Sequence, residues 1–423
     1  MNLPHGWSVL TLEEICSGNL QTGPFGSQLH AAEYTEKGIP VVMPKDLIAG
    51  RIVANTAARI PVTRAEQLKR HRIQVGDVLF SRRGDVARAG LAMKSDEGFL
   101  CGTGCLRARP DRTKAFPEFI NLLIQSPGAK RWLESNAVGQ TMPNINTEIL
   151  SQLTFRIPPL AEQQQISELI SSWDAAIEKT EQLIAAKLRR NKALSNRSLF
   201  GHARFGERNT QKIRALHWFS APSDWQVVEM GKVAREVSAL NSGDEGLPVL
   251  SCTKYDGLVD SLDYFDKQVF SRDTSKYKVV GRGQFAYATN HIEEGSIGYQ
   301  DFMPAGLVSP IYTVFQSDAK RIDDGYFYKL LKTEKLRQIF SARTNSSVDR
   351  RGSLRWKDFA RIHIPLPPLD EQRKINVVLD DAKLEIVLLQ AQVKALKTQK
   401  RGLMQKLLTG QWRVPVERNK VAA

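Results

Sequence analysis

Length, composition and charge narrow the classes of protein to which this chain can belong. It has 423 residues, 42% hydrophobic and 25% charged, a balance that excludes a disordered or fibrous protein. An excess of 60 Lys and Arg over 45 Asp and Glu gives a formal net charge of +15, which favours a polyanion such as nucleic acid as partner. Four cysteines suit no disulfide framework, and neither a membrane-spanning run nor a leader is evident, so we expect a cytoplasmic protein.

The first predicted domain is a mixed α/β block over residues 1–157. Short β-like runs at 39–43 and 75–80 are bounded by Gly, Pro, Asn and Asp, which favour turns. A helix is predicted near 118–125. This combination of short strands and helices is typical of an α/β domain and not of a helix bundle.

Three polar segments of this block are candidates for DNA contact. A glycine-rich loop spans 21–28, three arginines follow a predicted strand at 81–88, and an uncharged, amide-rich stretch spans 140–146. Arginines at a strand end favour phosphate or guanine as ligands, although a structural turn is the alternative for the first segment and a solvated loop for the second. The candidate residues are Thr22, Phe25, Ser27, Gln28, Ser81, Arg82, Arg83, Arg88, Gln140 and Asn144.

A long helix is predicted over the next segment, 158–201, and a short linker over 202–210. Two consecutive prolines cannot lie inside a helix, so the helix should begin near Leu160, and Gly201 fits as its C-terminal stop. Apolar residues recur at steps of four and three, as in a coiled coil, until polar residues enter the pattern at Lys187. We therefore expect the distal half to pack more loosely or to meet another surface.

A second mixed α/β block is predicted over residues 211–365. Its β-like runs lie at 277–280, 284–288 and 311–315, and its helical stretch lies at 326–340. Its sequence differs from that of the first block. If both blocks bind DNA, they should therefore read different bases.

Two segments of the second block are candidates for DNA contact. Residues 287–291 follow a predicted strand, where an asparagine can pair with adenine and a tyrosine can touch the backbone. Basic residues crowd the stretch 343–361, for which a solvated basic face is the alternative. The candidate residues are Tyr287, Thr289, Asn290, His291, Arg343, Arg350 and Arg351.

A second long helix is predicted over 366–410, followed by a tail at 411–423. Its opening Pro-Pro-Leu-Asp-Glu-Gln repeats the Pro-Pro-Leu-Ala-Glu-Gln of 158–163 after a shift of 209 residues, and the ungapped similarity continues to Gly410. The chain is therefore predicted to be a tandem duplication whose two helices pack antiparallel and relate the blocks by an approximate two-fold axis. The alternative is that each helix packs as an ordinary amphipathic helix on its own block.

The motifs of the common DNA-modifying enzymes are missing from the sequence. There is no glycine-rich phosphate loop and no Asp/Asn-Pro-Pro-Tyr/Phe motif of amino-methyltransferases. Pro110-Asp111 is not followed within about 30 residues by the carboxylate-x-lysine of a restriction-nuclease metal site. The histidines are scattered, and Cys101 and Cys105 form a lone pair that fits buried thiols better than a metal site. We therefore predict no catalytic residue and no metal ligand in this chain.

Several segments are similar to those of one known family. They are the doubled Pro-Pro-Leu-x-Glu-Gln with the long helix after each, the closing stretch 403–410, and segments 23–27, 76–80, 306–312 and 354–359. On these segments, and over essentially its whole length, the chain resembles a specificity (S) subunit of a type I restriction-modification enzyme.

The resemblance implies an α+β fold and a division of labour. Two mixed α/β target recognition domains, joined by two long antiparallel coiled-coil helices, would each read one half of an asymmetric, bipartite DNA site. The helices would dock two methyltransferase (M) subunits, and restriction (R) subunits would join through the M–S complex. The partner subunits would use S-adenosylmethionine, ATP and Mg²⁺, and this chain would need no cofactor of its own.

We therefore predict a non-catalytic, sequence-specific DNA-binding subunit with no membrane association. Two alternatives from other classes stay open at this point. One is a single-chain DNA methyltransferase or nuclease with an unrecognised site, and the other is a coiled-coil scaffold that does not bind DNA.

Overall fold

The computed structural model describes residues 3–25, 28–139, 141–205, 212–243, 246–344 and 352–415. The chain divides into two compact units, unit 1 formed by Met1–Glu181 with Gln392–Ala423 and unit 2 formed by Gln182–Ala391. Each unit contains one predicted α/β block and parts of both predicted long helices. The linear domain boundaries given above stay predictions.

Short strands and helices build the α/β part of unit 1. Its largest sheet has the order β2-β10-β7-β8-β5-β4, β1 pairs antiparallel with β11, and β3 lies between β6 and β9. The strands are β1 (Ser8–Thr11), β2 (Leu20–Thr22), β3 (Ile39–Val42), β4 (Leu47–Ile48), β5 (Gly50–Ile52), β6 (Arg59–Ile60), β7 (Val78–Ser81), β8 (Ala89–Leu91), β9 (Leu100–Cys101), β10 (Cys105–Ala108) and β11 (Thr154–Ile157). The helices are α1 (Leu12–Ile15), α2 (Val62–Gln67), α3 (Pro117–Ile124), α4 (Pro127–Asn136), α5 (Thr147–Ser151) and the long α6 (Leu160–Leu199).

Unit 2 repeats several of these features in the same order along the chain. Its main sheet has the order β15-β22-β19-β20, and β14 pairs antiparallel with β23 as β1 does with β11. The strands are β12 (Ile213–Ala215), β13 (Ser220–Pro222), β14 (Gln226–Glu229), β15 (Ala234–Val237), β16 (Leu250–Thr253), β17 (Gly257–Asp260), β18 (Lys278–Gly281), β19 (Phe285–Ala288), β20 (Ile297–Tyr299), β21 (Ala305–Val308), β22 (Tyr312–Ser317) and β23 (His363–Leu366). The helices are α7 (Ser261–Phe265), α8 (Asp324–Leu331), α9 (Glu334–Arg343), α10 (Trp356–Phe359) and the long α11 (Leu369–Leu408).

Both long helices begin immediately after a Pro-Pro pair, as the sequence predicts. The side-chain amide of Gln163 donates to the Pro158 carbonyl, and that of Gln372 donates to the Pro367 carbonyl, each at 2.8 Å. These bonds tie the first turn of each helix to the extended approach that proline imposes. The helices end just before Gly201 and Gly410, whose φ angles of +74° and +73° lie in the left-handed region that favours glycine.

The two long helices run antiparallel within each unit. In unit 1, the Lys400 ammonium lies 2.5 Å from the Asp174 carboxylate. In unit 2, the Asn191 side-chain amide donates to the Ala382 carbonyl (2.7 Å). The polar distal half of α6 therefore meets the other helix through polar contacts. The chain is an α+β protein in which two mixed α/β domains are joined by long antiparallel coiled-coil helices.

Each unit has one main hydrophobic core that also receives residues from the long helices. In unit 1, Phe80 of β7 and Phe119 of α3 share a buried cluster with Ile166 of α6 and Leu407 of α11. The start of α6 therefore packs on its own block, as in the predicted alternative, whereas the end of α11 packs in the core of the first block and not in that of its own. Burial of apolar side chains at these ends fixes the helices to each domain.

The core of unit 2 is dominated by aromatic rings. Phe285 and Phe315, on neighbouring strands β19 and β22, stack with ring centroids 5.0 Å apart and an interplanar angle of 14°. Leu199 of α6 and Ile375 of α11 belong to the same buried cluster. Both units therefore anchor one helix end and one helix start in their main core.

One prediction is wrong, because a stretch predicted as a single helix forms two. The stretch 326–340 forms two helices, α8 and α9, because Thr333 begins a new helix: its hydroxyl accepts the Leu336 amide at 3.3 Å. The strand predicted at 39–43 and the helix predicted at 118–125 are confirmed as β3 and α3. None of the helices in the described ranges has the length and apolarity needed to cross a membrane.

Candidate nucleic-acid interface

In unit 1, the chain leaves β7 directly into the arginine-rich segment 81–88. The Arg82 amide donates to the Gly104 carbonyl (2.8 Å), and the Arg82 carbonyl accepts the Ile145 amide (2.9 Å). The backbone of Arg82 is therefore held from both sides. This arrangement fixes the point from which its side chain projects.

Phe25 of the glycine-rich segment lies against Arg82. The guanidinium carbon is 5.7 Å from the centroid of the exposed Phe25 ring, a cation–π distance. The Phe25 amide donates to the side-chain oxygen of Gln28 (3.2 Å), which shapes the loop. The first two predicted DNA-contacting segments thus meet in space.

The third predicted segment of unit 1 joins them. The Gly84 amide donates to the Pro143 carbonyl (3.0 Å), and Arg83 forms an isolated antiparallel bridge with Asn144. Asn144 and Val138 also exchange two backbone hydrogen bonds of 2.9 Å. Segments far apart in sequence therefore converge at the end of β7.

The candidate side chains of unit 1 are not equally available to a ligand. Arg83 is exposed, whereas the Arg88 guanidinium donates to the Asp85 carboxylate (2.8 Å), and Thr22 is half-buried. Ser81 is fully buried, and its hydroxyl donates to the Arg83 carbonyl (2.9 Å). The structure contradicts a direct DNA contact by Ser81, whose role here is to hold the loop.

A second correction concerns Tyr287 on β19 of unit 2. Its ring is fully buried and stacks on Phe359, with centroids 4.8 Å apart. Burial also raises the pKa of its hydroxyl above the usual range. A contact between Tyr287 and the DNA backbone is therefore contradicted, and the residue belongs to the aromatic core.

The residues that follow β19 are more accessible. Asn290 and His291 are half-buried, as is Thr289. The Thr289 hydroxyl donates to the Ile311 carbonyl (3.0 Å), and the Thr289 carbonyl accepts the Leu354 amide (2.9 Å). Thr289 therefore anchors the loop, and Asn290 extends from a fixed backbone.

The sequence prediction missed the β16–β17 hairpin, whose turn is 254–256. The Lys332 ammonium donates to the carbonyls of Lys254 (2.7 Å), Gly295 (2.9 Å) and Ile297 (3.4 Å). The hairpin turn thus lies beside the loop that follows β19. An Asp-Gly pair at 256–257 is the sequence signal that would have indicated a hairpin.

The remaining candidates lie elsewhere or outside the described residues. Arg343 is exposed at the end of α9, where it lines a cavity of about 390 Å³ with Trp218, His217 and His363. No structural statement is made for four other predicted contacts, which fall outside the described ranges. These are Ser27, Gln140, Arg350 and Arg351.

Within the described residues, one group of side chains has ligand atoms close enough to share a cation. His291, Glu293 and Glu294 bring these atoms within 4.8 Å of one another in the loop after β19.

The cysteine pair of unit 1 is buried. Burial raises the pKa of Cys101 to about 12 and that of Cys105 well above its usual value. These buried thiols are therefore protonated at neutral pH.

Known proteins are similar to this chain in sequence and in fold. The sequence model described as "Type I restriction modification DNA specificity domain" matches residues 4–187. The MjaX specificity subunit of Methanocaldococcus jannaschii is 24% identical over 97% of this chain and 95% of its own length. The type I restriction enzyme MjaVIII specificity subunit of the same organism is 25% identical over 78% of each protein. Residues 4–187 thus match a type I specificity domain, and nearly the whole chain is similar to type I specificity subunits.

Solved structures of specificity subunits have the same fold as this chain. The HsdS subunit from Thermoanaerobacter tengcongensis aligns with a TM-score of 0.58 and 20% identity, covering 97% of this chain and 99% of that one. The type I S subunit from M. genitalium aligns with a TM-score of 0.53 and 16% identity, covering 96% and 98%. The two-domain, two-helix architecture described above is therefore shared along almost the full length of these proteins.

Proposed function

We propose that this chain is a specificity subunit that selects the DNA sequence on which a type I restriction-modification complex acts, and that each α/β domain reads one half of an asymmetric, bipartite site. The convergence of three predicted DNA-contacting segments at the end of β7 carries this proposal. A merely solvated loop would not require the meeting of segments so distant in sequence. The net charge of +15 supports a polyanionic ligand.

In unit 1, arginine chemistry is proposed to read or position the DNA. Arg83 is exposed, and Arg82 is held over Phe25 with its backbone fixed. A guanidinium at such a site forms two parallel hydrogen bonds to guanine or binds a phosphate oxygen. Gln28 and Asn144, next to them, supply amide groups that suit adenine or the DNA backbone.

In unit 2, the proposed reader is chemically different. Asn290 stands beyond the buried end of β19, and an asparagine amide matches the donor and acceptor atoms of adenine in the major groove. His291 and Arg343 are proposed as additional contacts. Because arginines dominate one loop and amide and hydroxyl groups the other, the two half-sites should differ in sequence.

The long helices are proposed to set the gap between the half-sites and to dock two methyltransferase subunits. Besides the apolar residues that face the cores, α11 exposes Val377, Leu384, Val387 and Leu388, and α6 exposes Leu183. Exposed apolar side chains on one helix pair suit a protein partner better than water. Restriction subunits would then join through the methyltransferase subunits.

Catalysis is proposed to reside in the partners, and the relatives are named as specificity subunits. The methyltransferase subunits would use S-adenosylmethionine, and the restriction subunits would use ATP and Mg²⁺. This chain would hold no cofactor. A cytoplasmic location follows from this assignment, because the substrate is cellular or incoming DNA.

The test is to sequence the methylated bases of a host that carries this chain with its methyltransferase partner. We expect one bipartite motif with two unlike halves and an unread gap, lost when this chain is deleted. A motif that survives the deletion would contradict the proposal.

The two alternatives are separable by simple assays. Pure chain incubated with plasmid, Mg²⁺ and S-adenosylmethionine should neither cut nor methylate DNA, whereas a single-chain enzyme would do one of these. A coiled-coil scaffold would not retain DNA. The proposed complex should retain its specific DNA, and its affinity should fall steeply as salt rises because phosphate contacts release counterions.

A further inference from the structure

The β16–β17 hairpin is attached firmly to the loop proposed to read DNA in unit 2. One ammonium group, that of Lys332, bonds the hairpin turn at the Lys254 carbonyl and the loop at the Gly295 carbonyl. The ammonium also donates to the Ile297 carbonyl, so all three of its N–H groups have an acceptor. These three bonds fix the position of the turn against the loop. The hairpin turn and the loop therefore form one surface.

Close backbone packing keeps the hairpin in this place. A Cβ atom at Gly298 of β20 would lie 2.4 Å from the backbone nitrogen of Leu258 of β17, closer than any side chain can tolerate. Glycine thus lets β17 lie directly on the strand that follows the loop. The hairpin cannot swing away without breaking this contact.

The tip of the hairpin presents an aromatic ring to solvent. Tyr255 is 79% exposed, the highest value among the described large hydrophobic residues, and the Lys254 ammonium lies 5.3 Å from its ring centroid. The turn itself is ordered, since the Asp256 amide donates to the Thr253 hydroxyl (2.9 Å) and the Tyr264 hydroxyl donates to the Asp256 carboxylate (3.3 Å). The ordered turn therefore exposes the Tyr255 ring, which contributes little to the hydrophobic core of unit 2.

We propose that residues 254–256 form a second DNA-contacting element of unit 2, in which the Tyr255 ring packs on the face of a nucleotide and Lys254 pairs with a phosphate. The inference rests on the proposed function, because it takes the neighbouring Asn290 loop as a DNA reader. Aromatic rings bind nucleotide faces with little dependence on the base, and lysine suits phosphate as a point charge. The hairpin would then add affinity and position, while Asn290 adds sequence selection.

The experiment compares Tyr255 variants in the purified complex of this chain with its methyltransferase partner. The probe is a duplex that carries the methylated motif of the host. We expect Tyr255→Ala to weaken binding by roughly tenfold and Tyr255→Phe to stay within about twofold, because the ring and not the hydroxyl supplies the stacking. Lys254→Ala should reduce the salt dependence of binding by about one phosphate contact.

Phe302→Ala is the matched control. Phe302 is also an exposed aromatic residue of unit 2, at 46%. It follows Gln300, whose carbonyl accepts the Gly283 amide (2.8 Å) at the end of β19 opposite to the loop. Its removal should leave DNA affinity unchanged.

Three outcomes overturn the inference. Unchanged DNA affinity for Tyr255→Ala would show that Tyr255 does not contact DNA. An equal loss of DNA affinity for Phe302→Ala would indicate a general surface effect. Failed assembly with the methyltransferase, at unchanged DNA affinity of the remaining complex, would assign Tyr255 to a protein contact. If the wild-type complex itself shows no preference for the motif duplex, the proposed function fails first, which separates the two failures.

Discussion

In each unit, an arginine paired with a buried glutamate ties the segment after one long helix to the start of the other. In unit 2, the Arg204 guanidinium donates to both carboxylate oxygens of Glu371 (2.5 and 2.9 Å). It also donates to Asp224 and lies 5.5 Å from the ring centroid of Trp225. Arg204 therefore stabilises this part of unit 2 through ion pairs and through a cation–π contact.

Unit 1 repeats this arrangement with residues from the two ends of the chain. The Arg413 guanidinium donates to both carboxylate oxygens of Glu162 (2.6 and 2.7 Å) and lies 5.9 Å from the ring centroid of Trp7. It also donates to the His5 carbonyl (3.1 Å). The difference lies in solvent access, since the Arg413 side chain is 43% exposed and that of Arg204 only 7%.

The comparison separates what the duplication keeps from what it varies. The arginine–glutamate pair, the Pro-Pro helix start and the strand pair β1–β11 or β14–β23 occur in both units. The loops after the central strands β7 and β19 carry different side chains. A repeated scaffold thus supports two different surfaces, as a protein that reads two unlike half-sites requires.

The largest expected effect concerns the scaffold. Arg204→Met should lower the free energy of unfolding by about 3–5 kcal/mol, because it removes the guanidinium from the buried carboxylate of Glu371. Arg413→Met should cost less, about 1–2 kcal/mol, because water partly replaces an exposed guanidinium. Urea denaturation followed by circular dichroism measures both. Equal losses would show that solvent access does not distinguish the two pairs.

The next effect concerns the loop of unit 1. Arg82→Ala with Arg83→Ala should weaken DNA binding by the assembled complex by roughly tenfold and reduce the salt dependence by one to two phosphate contacts. Lys94→Ala is the control, because this exposed cation follows β8 at the end away from the loop. A filter-binding titration at several salt concentrations measures the change. A loss of assembly instead of affinity would place these arginines at a protein interface.

The loop of unit 2 should respond in sequence preference more than in affinity. Asn290→Ala should reduce discrimination at one position of one half-site by about 1–3 kcal/mol, the value of a two-bond amide–adenine pair. Competition binding with duplexes altered at single positions checks this expectation. Uniform weakening on all duplexes would make Asn290 a backbone contact.

The smallest expected effect is at Tyr287. Tyr287→Phe keeps the buried ring that stacks on Phe359, so DNA affinity should stay within about twofold and stability should change by about 1 kcal/mol or less. The same titration and denaturation experiments apply. A large loss of DNA affinity at unchanged stability would restore the original prediction of a backbone contact.

The sequence predicts the repeated scaffold well because its signals are local or periodic. Proline pairs fix the helix starts, Gly201 and Gly410 fix the ends, and the steps of four and three extend over many turns. The polar residues of the distal α6 are visible in the sequence, but they contact α11 and not another surface. Their partners, such as Ala382 for Asn191, are far away in sequence and required the structure.

The candidate site was predicted less completely, for two physical reasons. Tyr287 lies two residues after Phe285, on the same face of β19, and all four residues of that strand are buried, so a polar hydroxyl was a poor guide to exposure. The hairpin turn at Tyr255 depends on Lys332, whose three carbonyl partners no spacing rule connects. Tertiary hydrogen bonds of this kind decide which loops share a surface.

The most direct test of the two-reader account is to exchange one reader. Residues 211–365 are replaced by the second α/β block of another type I specificity subunit, both long helices are kept, and the methylated motif of the host is sequenced. The account predicts that one half of the motif changes while the other half and the gap stay the same. A change in both halves, or in neither, in a complex that still methylates DNA would contradict it.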